Sequence, residues 1–261
     1  MKILLFGITN VGKSTIGKTL SKELNYNFDD IDDEIKKKYK TIDIFKEKYP
    51  SGYERHMQRG NILKNVVNKY KDNVVIAVSS IFYEEFFNDV IGQANVLAIE
   101  LQDLPENILE RLVYADENDE VHPLVIKTKS EKDYYLKEIK EDIKYYKRVY
   151  KKIENKFDMQ GEKPEEVTKR LLEYIKRKNV KTLCAVLSTD GYVTIERISN
   201  SVKNITSEKL NLSTRTIVNF IAEFNRKTNA IIESIKKEIL QQNRYYTEAF
   251  KVHREYVEKT V

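Results

Sequence analysis

Cysteine is nearly missing from this chain: Cys184 is the only one in 261 residues. A single thiol excludes an internal disulfide and a cysteine metal cluster, and it reads as a core residue rather than a nucleophile. Tryptophan is absent, while Lys, Asn, Ile and Tyr are abundant, a bias that codon usage alone can produce. Long apolar runs are also missing. None approaches the roughly 18 residues needed to span a bilayer, so no membrane partner is expected. The first residues enter a strand at once, which predicts no signal peptide and a cytoplasmic location. Neither sign of charge dominates, and the formal net charge of +5 permits contact with nucleic acid without arguing for it. The length suits one large domain, or a medium one with a small one.

What the sequence does contain, near its start, is Gly7-Ile8-Thr9-Asn10-Val11-Gly12-Lys13-Ser14-Thr15, a full match to G-x-x-x-x-G-K-[ST]. Lys2 to Phe6 before it reads as a short buried strand. Ile16 to Leu24 after it reads as an amphipathic helix, with Ile16, Leu20 and Leu24 spaced by four. Strand, glycine turn and helix are the context a phosphate-binding loop requires. The glycines let the backbone approach an anion, and the helix N-terminus offers unpaired N–H groups and a positive dipole end. Residues Gly7, Thr9, Asn10, Val11, Gly12, Lys13, Ser14 and Thr15 are therefore the candidate nucleotide contacts. Lys13 would reach the β- and γ-phosphates of ATP, and Ser14 would ligate Mg2+.

Further along, Tyr26 to Ile35 reads as a short strand running into an acidic turn with Asp29, Asp30, Asp32 and Asp33. Those acids suit either a solvated helix N-terminus or a place beside nucleotide, metal and acceptor. A helical stretch over Ile42 to Phe45 follows, then a break at Pro50-Ser51-Gly52, then a helix over Tyr53 to Tyr70. Val74 to Val78 and Val96 to Leu101 are continuous apolar runs, the mark of strands buried on both faces of a parallel sheet. Leu104 to Tyr114 reads as a helix, and Ala115 to Pro123 as an acidic polar loop. A charged helix over Lys129 to Ile153 and a strand at Phe157-Asp158-Met159 come next. A last helix opens at Pro164 and runs through Ile175, and the charged residues 176–179 read as the end of the domain. Alternating strands and helices predict an α/β, doubly wound parallel sheet over residues 1–178, with ligands at the C-terminal strand ends.

The whole series over residues 1–178 resembles the shikimate kinase family. Besides the phosphate loop, it is carried by Phe28-Asp29-Asp30-Ile31-Asp32, by Ile44-Phe45 followed by Gly52-Tyr53-Glu54-Arg55, by the strand Val74–Val78, by His122-Pro123-Leu124, and by Val149-Tyr150-Lys151-Lys152-Ile153. The resemblance implies that Asp30 supports Mg2+ through water, and that Asp32 holds the acceptor hydroxyl and takes its proton. Arg55, Ser79 and Ser80 fall at acceptor-binding positions. Four positions depart from the family pattern. Glu54 stands for an arginine, with Arg55 beside it, and Val78-Ser79-Ser80 stands for three glycines. His122 replaces the lid arginine, and Tyr146 replaces a further arginine. A glutamate repels the carboxylate that an arginine would grip by two parallel hydrogen bonds. An arginine on the transferring phosphoryl contributes on the order of 10³-fold in rate, so its replacement matters. His122 and Arg111 are the candidate substitutes, with Lys127 and Lys129 behind them.

Residues 179–261 read as a second, smaller all-α domain. Helices are expected over Val180 to Leu187 and from Ile195 through Val202, with a turn at Ser188 to Gly191. Residues 205–226 resemble a helix-turn-helix, with Ser213 capping a recognition helix. Thr214, Arg215 and Asn219 would face the major groove of duplex DNA, and Ile217, Phe220 and Ile221 the core. The same residues equally suit a plain helical subdomain. A long helix over Ile231 to Val257 offers a stripe for a homodimer or for packing on its own domain. The four departures predict a different acceptor, one without a carboxylate, or a site that binds nucleotide without turnover. Two functions from different classes follow: an ATP-dependent kinase for a small-molecule hydroxyl, and a ligand-sensing DNA-binding regulator built on a kinase-like domain; a true shikimate kinase with a rearranged acceptor pocket is the third reading.

Overall fold

The computed structural model describes residues 1–116, 120–189, 193–205 and 212–226, in two compact units, 1–172 and 173–261. The first unit opens with strand β1 (Lys2–Phe6), helix α1 (Lys13–Leu24), strand β2 (Asn27–Asp30) and helices α2 (Ile31–Tyr39), α3 (Ile42–Lys48) and α4 (Gly52–Lys69). Strand β3 (Val74–Ala77), a 3-10 turn (Glu84–Phe86), the short helix α5 (Asn88–Ile91), strand β4 (Val96–Gln102) and helix α6 (Pro105–Leu109) follow. After these come strands β5 (Val113–Ala115) and β6 (Val121–Pro123), helix α7 (Lys129–Val149), strand β7 (Asn155–Asp158) and helix α8 (Pro164–Thr189). Residues 173–189 of α8 and helix α9 (Ile195–Ile205) belong to the second unit.

The main sheet is parallel throughout, in the order β2-β3-β1-β4-β7. The residues of β1 and β3 are buried without exception, which is why residues 3–6 and 74–77 read as unbroken apolar runs rather than alternating ones. The central strand β1 lies between β3 and β4, so the order of strand connections reverses beside it, and such sheets open a ligand crevice at the C-terminal strand ends of that switch point. An aromatic cluster backs this end: Phe6 packs against Phe87 and Tyr150, and Tyr150 stacks on Tyr146.

Two local expectations are corrected. The expected helix over 104–114 stops at Leu109, and Val113 to Ala115 instead pairs antiparallel with Val121 to Pro123. Within the expected acidic loop at 115–123, Ala115 and residues 121–123 are instead strand, because β-prone Val113 and Tyr114 find cross-strand partners in Pro123 and His122. The charged stretch 176–179 is interior to α8, since Lys and Arg extend a helix readily. The acidic turn after β2 is the first turn of α2, with Asp32, Asp33 and Glu34 at its positive dipole end.

In the second unit, Cys184 is fully buried with Ile198, Val202, Ile217 and Phe220, and Leu187, Ile195 and Ile221 pack around them. Residues 214–226 are helical, capped by Ser213, whose hydroxyl accepts from Thr216 N at 3.1 Å. Most of the expected first helix of the helix-turn-helix, residues 206–211, and the expected long helix over 231–257 lie outside the described residues. Among the described residues no helix is long and apolar enough to cross a membrane.

Candidate active site

The phosphate loop bends where its glycines allow. Gly7 has φ 145 and Gly12 φ 109, in the region that side chains resist, and Asn10 has φ 62. A Cβ on Gly7 would stand 2.8 Å from the Leu101 carbonyl oxygen, so the loop lies directly against the end of β4. Gly12 caps α1 without any side-chain hydrogen bond, and no acid occupies the first turn of that helix. The leading N–H groups of α1 therefore keep no side-chain partner, the arrangement that receives a phosphate. Lys13 donates to the carbonyls of Gly7 at 3.0 Å and Ile8 at 2.8 Å. Burial lowers its pKa to about 8 against the opposing pull of Asp32 and Asp30. Thr9, Ser14 and Thr15 are exposed along the loop and the start of α1.

The two aspartates that end β2 separate by strand alternation. Asp29 is buried and accepts from Lys69 at 3.2 Å and Tyr70 at 3.0 Å. Asp30 faces the phosphate loop, where Ser14 Oγ donates to its Oδ2 at 2.6 Å. Its other oxygen caps α2 by accepting from Asp32 N at 2.9 Å. Burial raises the Asp30 carboxyl, while the Ser14 hydrogen bond opposes that rise. The hydroxyl and carboxylate at the head of α1 are hard oxygen donors, the chemistry that Mg2+ takes, so the residues fit that ion.

Register carries the next contact. Asp30 pairs with Ala77 across β2 and β3, so the residues two further on, Asp32 and Ser79, meet beyond the strand ends. Ser79 Oγ donates to Asp32 Oδ1 at 2.5 Å. Ser80 Oγ lies 3.3 Å from Thr9 Oγ1 and donates to Gly7 O at 3.4 Å. Phe82 N then donates to His56 Nδ1 at 3.3 Å, and the Phe82 ring stacks on the imidazole at 4.0 Å. One segment, 79–82, thus joins Asp32, the phosphate loop and α4.

Sequence reasoning missed two residues on α4. His56 is buried, and burial first, then the Arg59 and Arg55 guanidiniums, lower its pKa to about 4. Arg59 lies 5.8 Å over the Phe45 ring, and its buried Nε has no hydrogen-bond partner among the described residues. Arg55 and Arg59 are spaced by four, a helical spacing that flags a shared face. Glu54, which stands in the expected arginine place, is exposed. Tyr146 is buried, and burial pushes its hydroxyl well above the usual tyrosine range.

The two candidate substitutes for a lid arginine are both engaged. Arg111 pairs with the fully buried Asp103 carboxylate and donates to Val11 O at 3.1 Å. His122 lies in β6 with Nε2 3.1 Å from Asp116 Oδ2. In the second unit, Thr214, Arg215 and Asn219 are exposed on the 214–226 helix, opposite buried Ile217 and Phe220.

A parallel sheet ordered β2-β3-β1-β4-β7 with a phosphate loop at its switch point defines the phosphate-loop kinase fold. A family model for shikimate kinase matches residues 9–176, and the chain belongs to the shikimate kinase family. The shikimate kinase of Persephonella marina is 30% identical over 176 residues, covering 67% of this chain and 98% of its own. That of Aquifex aeolicus is 33% identical over 177 residues, covering 66% and 94%. The crystal structure of shikimate kinase from Aquifex aeolicus superposes with a TM-score of 0.51 at 30% identity, covering 69% of this chain and 98% of that one. Shikimate kinase from Acinetobacter baumannii in complex with shikimate gives a TM-score of 0.52 at 17% identity, covering 68% and 93%, a likeness of fold.

Proposed function

We propose that this protein transfers the γ-phosphoryl group of ATP to a hydroxyl of a small anionic molecule, in a family site whose acceptor end is rebuilt. The Ser79–Asp32 hydrogen bond carries the reading, because it holds a carboxylate at the strand ends beside the phosphate loop. Asp32 positions the acceptor hydroxyl and takes its proton as the oxygen bonds to phosphorus and the bond to ADP breaks. Lys13 leaves the Gly7 and Ile8 carbonyls to meet the phosphates. Ser14, with Asp30 through water, would hold Mg2+, which neutralises charge on the β- and γ-phosphates. With Arg111 and His122 engaged by carboxylates, charge on the transferring group falls to Lys13. Arg55 and Arg59, both close enough to depress His56, favour an acceptor bearing a carboxylate or similar anion despite Glu54 and Tyr146. Shikimate is therefore the first acceptor to try. The test is ADP release with Mg-ATP over shikimate, other sugar acids, neutral sugars and nucleosides, for wild type and Lys13→Ala. Turnover on an anionic acceptor that vanishes in Lys13→Ala supports the reading. Turnover on neutral acceptors alone refutes its anionic part, and ATP binding without any turnover refutes it whole.

A second reading concerns residues 173–261, for which we propose contact with duplex DNA. Basic residues outnumber acidic ones there by 16 to 10, so the chain's positive excess resides in this unit. The exposed Thr214, Arg215 and Asn219 on a capped helix favour the same partner. Binding of a mixed-sequence duplex by the full chain should weaken steeply with salt and with Arg215→Ala. Indifference to both would sink it. We also propose a homodimer through the helix expected over residues 231–257, on the apolar stripe of its sequence.

A further inference from the structure

We propose that Asp103 is a positioning residue for nucleotide binding, which acts through Arg111 to set the direction of the Val11–Gly12 peptide in the phosphate loop. The proposal rests on the kinase reading above and concerns residues to which that reading gives no task.

Asp103 follows β4 immediately, and its side chain is fully buried. A buried carboxylate is costly unless each oxygen is satisfied. Here Oδ1 accepts from Leu104 N at 2.9 Å, Asn107 Nδ2 at 2.6 Å and Gly161 N at 3.0 Å, and Oδ2 accepts from Arg111 Nη2. Burial opposes the charge, yet these donors together hold the carboxyl below the usual aspartate range, so it stays ionised. Bringing Gly161 N this close takes a left-handed turn at φ 67, where a Cβ would stand 2.6 Å from the Asn107 amide. The carboxylate thereby ties together the end of β4, helix α6 and the turn after β7.

Arg111 carries this anchor to the phosphate loop. One terminal nitrogen engages Asp103, and the other donates to Val11 O at 3.1 Å. In a trans peptide the carbonyl and the following N–H point in opposite directions. Fixing Val11 O toward Arg111 therefore turns the Gly12 N–H away from it. Gly12 has no side chain to restrain its own torsions, so an external anchor decides which way this N–H faces. The loop needs such a decision, because its N–H groups must converge on one anion. A cation held at this distance by a fully satisfied carboxylate serves orientation, since its charge is already matched.

The test is ADP affinity of the full chain, measured by titration calorimetry without acceptor. Asp103→Asn can keep its amide oxygen toward the three donors at Oδ1 while presenting an NH2 to Arg111, which severs that bond alone. It should weaken ADP binding about tenfold, the scale of a charge-assisted hydrogen bond, with an unchanged acceptor KM and an unchanged kcat at saturating nucleotide. Arg111→Met should weaken it similarly, and the double variant no further, because both act through one linkage. Asn107→Ala, which spares the Arg111 bond, should bind ADP as wild type does. Wild-type affinity in Asp103→Asn or Arg111→Met, or additive losses in the double variant, would overturn the proposal while leaving the kinase reading intact. Absence of ADP binding by wild type would overturn both.

Discussion

Ser79 donates its hydroxyl to Asp32 at 2.5 Å, joining the chain beyond β3 to the first turn of α2. An ionised carboxylate accepting a hydroxyl keeps one oxygen oriented and leaves the other for a second proton donor. Asp32→Asn removes the base and should lower kcat by about 10²- to 10⁴-fold while sparing ADP affinity. Ser79→Ala only loosens the carboxylate and should cost about tenfold. Steady-state kinetics beside calorimetry separates the two. Equal losses in both variants, or lost ADP binding in Asp32→Asn, would contradict the assignment.

Lys13 links nucleotide affinity to pH. Its ammonium loses a proton near pH 8 in the free protein, because burial outweighs the attraction of Asp32 and Asp30. Bound phosphates favour the charged form, so binding takes up a proton above that pH. ADP affinity should be level just below pH 8 and fall by about tenfold per pH unit above it. Lys13→Met should bind weakly and lose this slope. Titrations from pH 7 to 10 provide the check.

His56 makes stability sensitive to acid. Its folded pKa of about 4 lies under the ordinary 6.5. Between those values the unfolded chain binds a proton that the folded one does not, so stability is full above about 6.5 and declines as pH falls toward 4. Urea unfolding at pH 7 and pH 5 should show a smaller drop for His56→Leu than for wild type. An unchanged drop would mean that other groups carry the dependence.

Gly60, inside α4, packs against the 3-10 turn. A Cβ there would stand 2.6 Å from Phe86 Cβ and 2.7 Å from its carbonyl oxygen. Alanine gains about 1 kcal/mol in helix propensity, but a clash against backbone costs about 1–3 kcal/mol, and the clash should win. Gly60→Ala should therefore lower the unfolding free energy. Gly52→Ala, whose Cβ would meet only Arg55 Nη2 at 3.9 Å, makes the comparison.

The parts of this protein legible in its sequence are those built from neighbouring residues. The phosphate loop, its flanking strand and helix, and the buried strands β1, β3 and β4 each declare themselves in one contiguous stretch, because turn geometry and burial on both faces act locally. The family series could be read in order for the same reason. Tertiary structure alone decided which side chains meet. Asp32 reaches Ser79 through the register of β2 on β3, His56 receives Phe82 N from 26 residues away, and Arg111 bridges Asp103 to Val11 across 100. It also paired residues 113–115 with 121–123 as antiparallel strands. Local patterns encode torsions and burial. Pairings between distant residues depend on how a parallel sheet brings its strand ends together, which no short stretch specifies.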